Sequence, residues 1–99
     1  MSPLPVTSDM LAVAKRVVWF REPEDTLKDP IHFLCHLMTY TLPEDLGTVL
    51  AHIPITDFRQ ALEQAPAGIF DERSWAYWNV KLGRDPVPPL PQRIIPDAA

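Results

Sequence analysis

An all-α fold is predicted here, a small bundle of about five short helices followed by an extended proline-rich tail. Three observations carry that expectation. Apolar residues recur at spacings of three, four and seven in successive segments. Those segments open on capping residues or prolines. A single run, Val17-Val18-Trp19-Phe20, has the β-branched and aromatic character of a strand, and it has no evident partner strand to pair with.

The first periodic segment runs from about Ser8 to Phe20, with Met10, Leu11, Ala14, Val17 and Val18 on one stripe and Ser8 or Asp9 as the cap. Its last residues would also suit extended backbone. Arg21 to Asp29 is a charged connector in which Pro23 opens a short helical turn through Glu24, Asp25 and Thr26. Asp29-Pro30 is the clearest local signal in the chain. An Asp at N-cap can satisfy an orphan amide, and a Pro at N1 presets the backbone, so the helix from Ile31 to Tyr40 starts there. Its Phe33, Leu34, Leu37 and Met38 form a wide apolar stripe, which marks it as the central helix.

Thr41 and Glu44 have the spacing of a capping box, opening a helix near Leu42 to Ile53 with Leu46, Val49, Leu50 and Ile53 turned inward. Pro54 ends it. Thr56 is expected to cap the next helix, Asp57 to Ala65, whose inner face is Phe58, Ala61, Leu62 and Ala65. Asp71 caps the last, Glu72 to Leu82, with Trp75, Trp78 and Leu82 on one face and Gly83 as its C′ residue. No internal repeat is visible among these segments.

The chain has 99 residues, which suits one domain. Five of its twelve prolines fall after residue 85, so the helical domain is placed at 7–83 and the extended tail at 84–99. A net charge of −4 disfavours a role built on phosphate neutralisation, which needs clustered Lys and Arg. One cysteine, Cys35, cannot form an internal disulfide, and no apolar run is long enough to cross a membrane, so cytoplasm is the expected compartment. No signal-peptide pattern stands at the N-terminus.

Three sets of side chains are candidates for chemistry. His32, Cys35 and His36 lie at i, i+3 and i+4 of the central helix, a spacing that could gather three metal ligands. Phe33 stands where a helical metalloprotease motif carries Glu, and only His52 remains as a further imidazole, so no metal or other cofactor is expected; the alternative is a buried Cys with two histidines at the rim of the apolar face. Cys35 as a nucleophile would need an open, electropositive setting, which a mid-helix position among large apolar neighbours does not offer. Glu24, Asp25, Glu44 and Asp45 occupy first turns, where the helix dipole explains them. No catalytic residue is assigned, and the chain is not expected to be an enzyme.

Surfaces offer more. The helices flanking Pro54 have the outline of a helix-turn-helix, but the second offers Arg59, Gln60 and Gln64 against Asp57 and Glu63, a poor balance for reading DNA. The tail sets Pro88, Pro91 and Arg93 in a P-x-x-P-x-R arrangement suited to aromatic grooves, while Val87, Leu90, Ile94 and Ile95 equally suit an arm packed along its own domain. In the aromatic helix Trp75 and Trp78 are read as core, leaving Tyr77 and Val80 to face outward. The partner-binding residues are therefore Tyr77, Val80, Pro88, Leu90, Pro91 and Arg93. A protein partner is expected, with self-association as a further option; DNA binding is the second reading.

Four features together resemble a group of short bacterial helical proteins that accompany AbiEii-type nucleotidyltransferase toxins. They are Val18-Trp19-Phe20 before an acidic connector, a helix ending in Met38-Thr39-Tyr40, then Glu44-Asp45-Leu46, and Ile69-Phe70 leading into Arg73-Ser74-Trp75-Ala76-Tyr77-Trp78-Asn79. The resemblance spans about two-thirds of the chain. Thr41 departs from it, standing where those proteins carry Gly, and so does the proline tail. It implies an antitoxin-like or accessory subunit that works by protein contact and transfers no catalytic residue.

Overall fold

A computed structural model describes residues 3–40 and 43–91. The most apolar segment organises the rest. From Pro30 to Tyr40 every turn carries large side chains on more than half its circumference, so the helix can be satisfied only by neighbours on several sides. Six helices result: α1 (Ser8–Val17), α2 (Pro23–Leu27), α3 (Pro30–Tyr40), α4 (Pro43–His52), α5 (Ile55–Glu63) and α6 (Glu72–Lys81). No strand occurs among the described residues. Helices α1, α2, α4, α5 and α6 all pack on α3, and α1 also lies against α2 and α4.

The core follows from the stripes. Phe33, Leu34, Cys35 and Leu37 of α3 are wholly buried, together with Met10 and Ala14 of α1, Val49 of α4, and Phe58 and Ala61 of α5. Trp75 and Trp78 close the bundle from α6, and the Trp78 indole donates to the Met38 carbonyl at 2.7 Å. That bond satisfies a polar edge that burial would otherwise leave unpaired. The core also reaches beyond the helices. Leu4 is buried and its N–H donates to the Leu27 carbonyl, while Val87 and Leu90 of the tail pack on the core's edge.

Caps explain most boundaries, and three differ from expectation. Asp71 caps α6, its carboxylate accepting from the Ser74 N–H at 2.7 Å, and Gly83 leaves that helix at φ +80°. Thr7, one residue earlier than expected, is the N-cap of α1; its hydroxyl accepts from the Met10 N–H, which also reaches the Asp9 carboxylate. The helix then stops at Val17 instead of reaching Phe20. Val18 leaves helical dihedrals to stay buried, and Trp19 and Phe20 continue as a turn, neither helix nor strand. Pro54, in place of Thr56, sits at the N-cap of α5. Its extended backbone (φ −69°, ψ 154°) already points its carbonyl at the Asp57 N–H, so Thr56 falls inside the first turn.

Two further expectations change on α3 and α4. Asp29 precedes Pro30 as expected and its carbonyl takes the Phe33 N–H, but its carboxylate pairs with Arg21 at 3.2 Å. Leu50 was expected inside and is 39% exposed: Val49 and Ile53 bury against α1 and α3, and Leu50 lies about 100° around the helix from Val49. The capping box assigned to Thr41 and Glu44 lies partly outside the described residues.

Leu34→Ala, at the centre of the α3 stripe, is expected to lower unfolding stability by about 2–5 kcal/mol in urea titration. Leu50→Ala should stay within about 0.5 kcal/mol of the parent. Equal losses at the two positions would contradict the packing described for α4.

Candidate docking surface

Where the chain turns from α1 toward α2, two aromatic side chains are left in solvent. Trp19 is 79% exposed and Phe20 56%, because Val18 takes the inward position and its two successors must point away. They stand edge to face with ring centroids 5.7 Å apart. Phe20 in turn meets the edges of His32 and His36 on α3, and His36 stacks on Tyr40 at 5.9 Å. His32, His36 and Tyr40 are spaced i, i+4, i+8, which places them on one line along the helix. Tyr40 ends that line 64% exposed.

These rings wall a cleft of about 410 Å³ between α1, α3 and α4, lined by Arg16, Val17, Trp19, Phe20, His36, Tyr40 and Asp45. Its polar element is an ion pair. Arg16 grips the Asp45 carboxylate through Nε and Nη2, with Asp45 almost fully buried and Arg16 half exposed. Asp45 lies in the first turn of α4, where it suits the helix dipole, and it also ties α4 to α1. The cleft thus joins a fixed guanidinium to an aromatic rim, a pairing common in binding hot spots.

The two histidines are held neutral. Burial lowers the His36 pKa to about 4, aided by His32 and Arg21, and burial with Arg21 lowers His32 also, against the opposing pull of Asp29. Their Nε2 atoms lie 3.2 Å apart. Cys35 does not join them. Its thiol is turned to the opposite side, donating to the Ala61 carbonyl at 3.5 Å, and burial pushes its pKa up to about 12. Among the described residues no group of three or more His, Cys, Asp or Glu side chains has the geometry of a metal site.

The sequence-derived contact residues divide. Tyr77 (57% exposed) and Val80 lie outward on α6, beside a shallow hollow lined by Ala76 and Lys81, whose ammonium sits 5.5 Å from the Tyr77 ring. A neighbouring hollow runs from Tyr77 and Trp78 to Met38, Pro43 and Leu46. Pro88, Leu90 and Pro91 are only partly exposed, since the tail lies along its own domain: the Trp75 indole donates to the Pro88 carbonyl at 2.8 Å. Arg93, Ile94 and Ile95 fall outside the described residues. On α5 Arg59 faces Glu63 at 3.6 Å.

Trp19, Phe20 and Tyr40 were not among the expected contact residues. Two signals could have found them. Trp19 and Phe20 directly follow a residue of the apolar stripe, so both cannot share its inward direction. Tyr40 continues the four-residue spacing of His32 and His36, at the edge of the core face.

The histidine pair makes stability depend on pH. Unfolded histidine titrates near 6.5 and native His36 near 4, so in that interval the unfolded chain binds a proton that the native chain does not. Stability is fully present above about pH 6.5 and falls as pH drops toward about 4. His36→Gln should flatten this slope in urea midpoints taken at about pH 7 and about pH 5; an unchanged slope would assign the dependence to other groups. Cys35 should resist alkylation in the native state and react on unfolding. No family model, curated protein or solved structure matches the chain.

Proposed function

We propose that the chain is a non-catalytic protein-binding module that docks a partner against the aromatic rim of the α1–α3–α4 cleft. The observation that carries this reading is the exposure of Trp19, Phe20 and Tyr40 around the fixed Arg16–Asp45 pair. Three large rings left in water on one side of a small domain represent apolar area that folding alone does not bury. Aromatic and arginine side chains recover the most free energy when a partner covers them. Tyr77 and Val80 extend the contact surface onto α6.

The partner to which the sequence resemblance points is a nucleotidyltransferase of toxin type, with this chain as its antitoxin or accessory subunit. Docking rather than chemistry fits the side chains at hand. The one thiol is buried and turned to a main-chain carbonyl, and the cleft's carboxylate is engaged by Arg16. DNA reading finds less support, because Arg59 of α5 faces an acidic neighbour on its own helix.

Co-expression with an AbiEii-type nucleotidyltransferase from the same source organism tests the proposal. A stable complex is expected, and Trp19→Ala with Phe20→Ala should weaken it at least about tenfold while leaving thermal stability nearly unchanged, as truncation of exposed hot-spot residues does. Removal of residues 84–99 should weaken capture while keeping the helical signal. A complex indifferent to both changes would remove the cleft and the tail from consideration.

A further inference from the structure

We propose that His32 and His36 form a two-imidazole chelate for a divalent transition-metal ion of the zinc, nickel or copper class, held between their Nε2 atoms at the wall of the aromatic cleft. The geometry is the first support. A ring nitrogen binds such an ion at about 2.0–2.1 Å, so two donors 3.2 Å apart subtend an angle of about 100–105° at the metal. That lies between the octahedral and tetrahedral values. The i, i+4 spacing on a regular helix fixes both rings on one side, and Phe20 and Tyr40 brace them by edge and face contacts.

The hydrogen bonding points the same way. Without metal the two Nε2 atoms share a hydrogen bond, one ring donating and the other accepting. For both Nε2 lone pairs to face the ion, the donating ring moves its proton from Nε2 to Nδ1 and stays neutral. His36 borders the cleft, which opens the pair toward solvent. The nearby Arg21–Asp29 pair brings opposite charges whose effects on an incoming cation oppose each other.

The same structure limits the strength of the site. Ligation through Nε2 leaves the remaining proton on Nδ1 of each ring, and both Nδ1 atoms are buried without an acceptor. Cys35 faces the other way, and no third side chain of ligating type joins the pair among the described residues. The ion therefore keeps open positions for water or for a donor from another molecule, and its affinity falls below that of a closed structural zinc site.

The test uses the full, tag-free chain titrated with zinc alone, followed by calorimetry and by proton NMR of the histidine rings. One equivalent should bind saturably at sub-millimolar free zinc, with the ring signals of His32 and His36 shifting together and those of His52 staying in place. His32→Gln and His36→Gln should each weaken binding at least about tenfold, whereas His52→Gln should not. Because the ring signals are read on the unaltered chain, the outcome does not depend on how the variants fold. Ring signals of His32 and His36 that do not move, or unchanged zinc binding by the doubly substituted chain, would overturn the proposal.

Discussion

Burial of α3 is the constraint on which the rest depends. A helix apolar over most of its surface is stable in water only when other elements cover it, and each of the remaining five helices does part of that work. Its coverage is nearly complete along Phe33, Leu34, Leu37 and Met38. The line His32–His36–Tyr40 is where coverage stops. There the turn after α1 lends only the edge of Phe20, and the helix meets solvent through rings instead of aliphatic side chains. The cleft is therefore a product of incomplete wrapping, placed by the same packing that makes the core.

Two polar ties keep the wrapping in register. Arg16 and Asp45 join α1 to α4 across the mouth of the cleft, and the Trp78 indole joins α6 to the end of α3 through the Met38 carbonyl. Both place a donor against an acceptor that burial would otherwise strand, so their value lies as much in fixing geometry as in net stability. Asn79 shows the reverse case. Its amide donates to the Trp75 carbonyl while its own oxygen is buried without a protein partner.

Helix number and order were legible because they rest on local signals. Pro23 and Pro30 mark starts through fixed φ, Pro54 marks the break between two helices, Asp71 and Gly83 bound the last helix, and the apolar spacing does the rest. What escaped was decided by tertiary contact. The run Val17 to Phe20 suits helix or extended backbone alike, and only the burial of Val18 in the core decides that the helix ends before it, which exposes Trp19 and Phe20. Leu50 is as apolar as Val49, and only the positions of α1 and α3 determine which of the two is covered. Asp45 fits a first-turn carboxylate on sequence grounds; its tie to Arg16 spans twenty-nine residues and has no local signature.

The hold of Trp75 on the tail has an evolutionary corollary. The indole grips the chain at a main-chain oxygen, an atom that every residue type supplies. Apart from Val87 and Leu90, which pack on the core's edge, side chains along this arm are consequently free to drift, provided the path of the backbone past the indole is kept. Selection on the arm would then show as retention of the tryptophan and of a stiff, extended segment opposite it, with little trace in the letters of that segment itself.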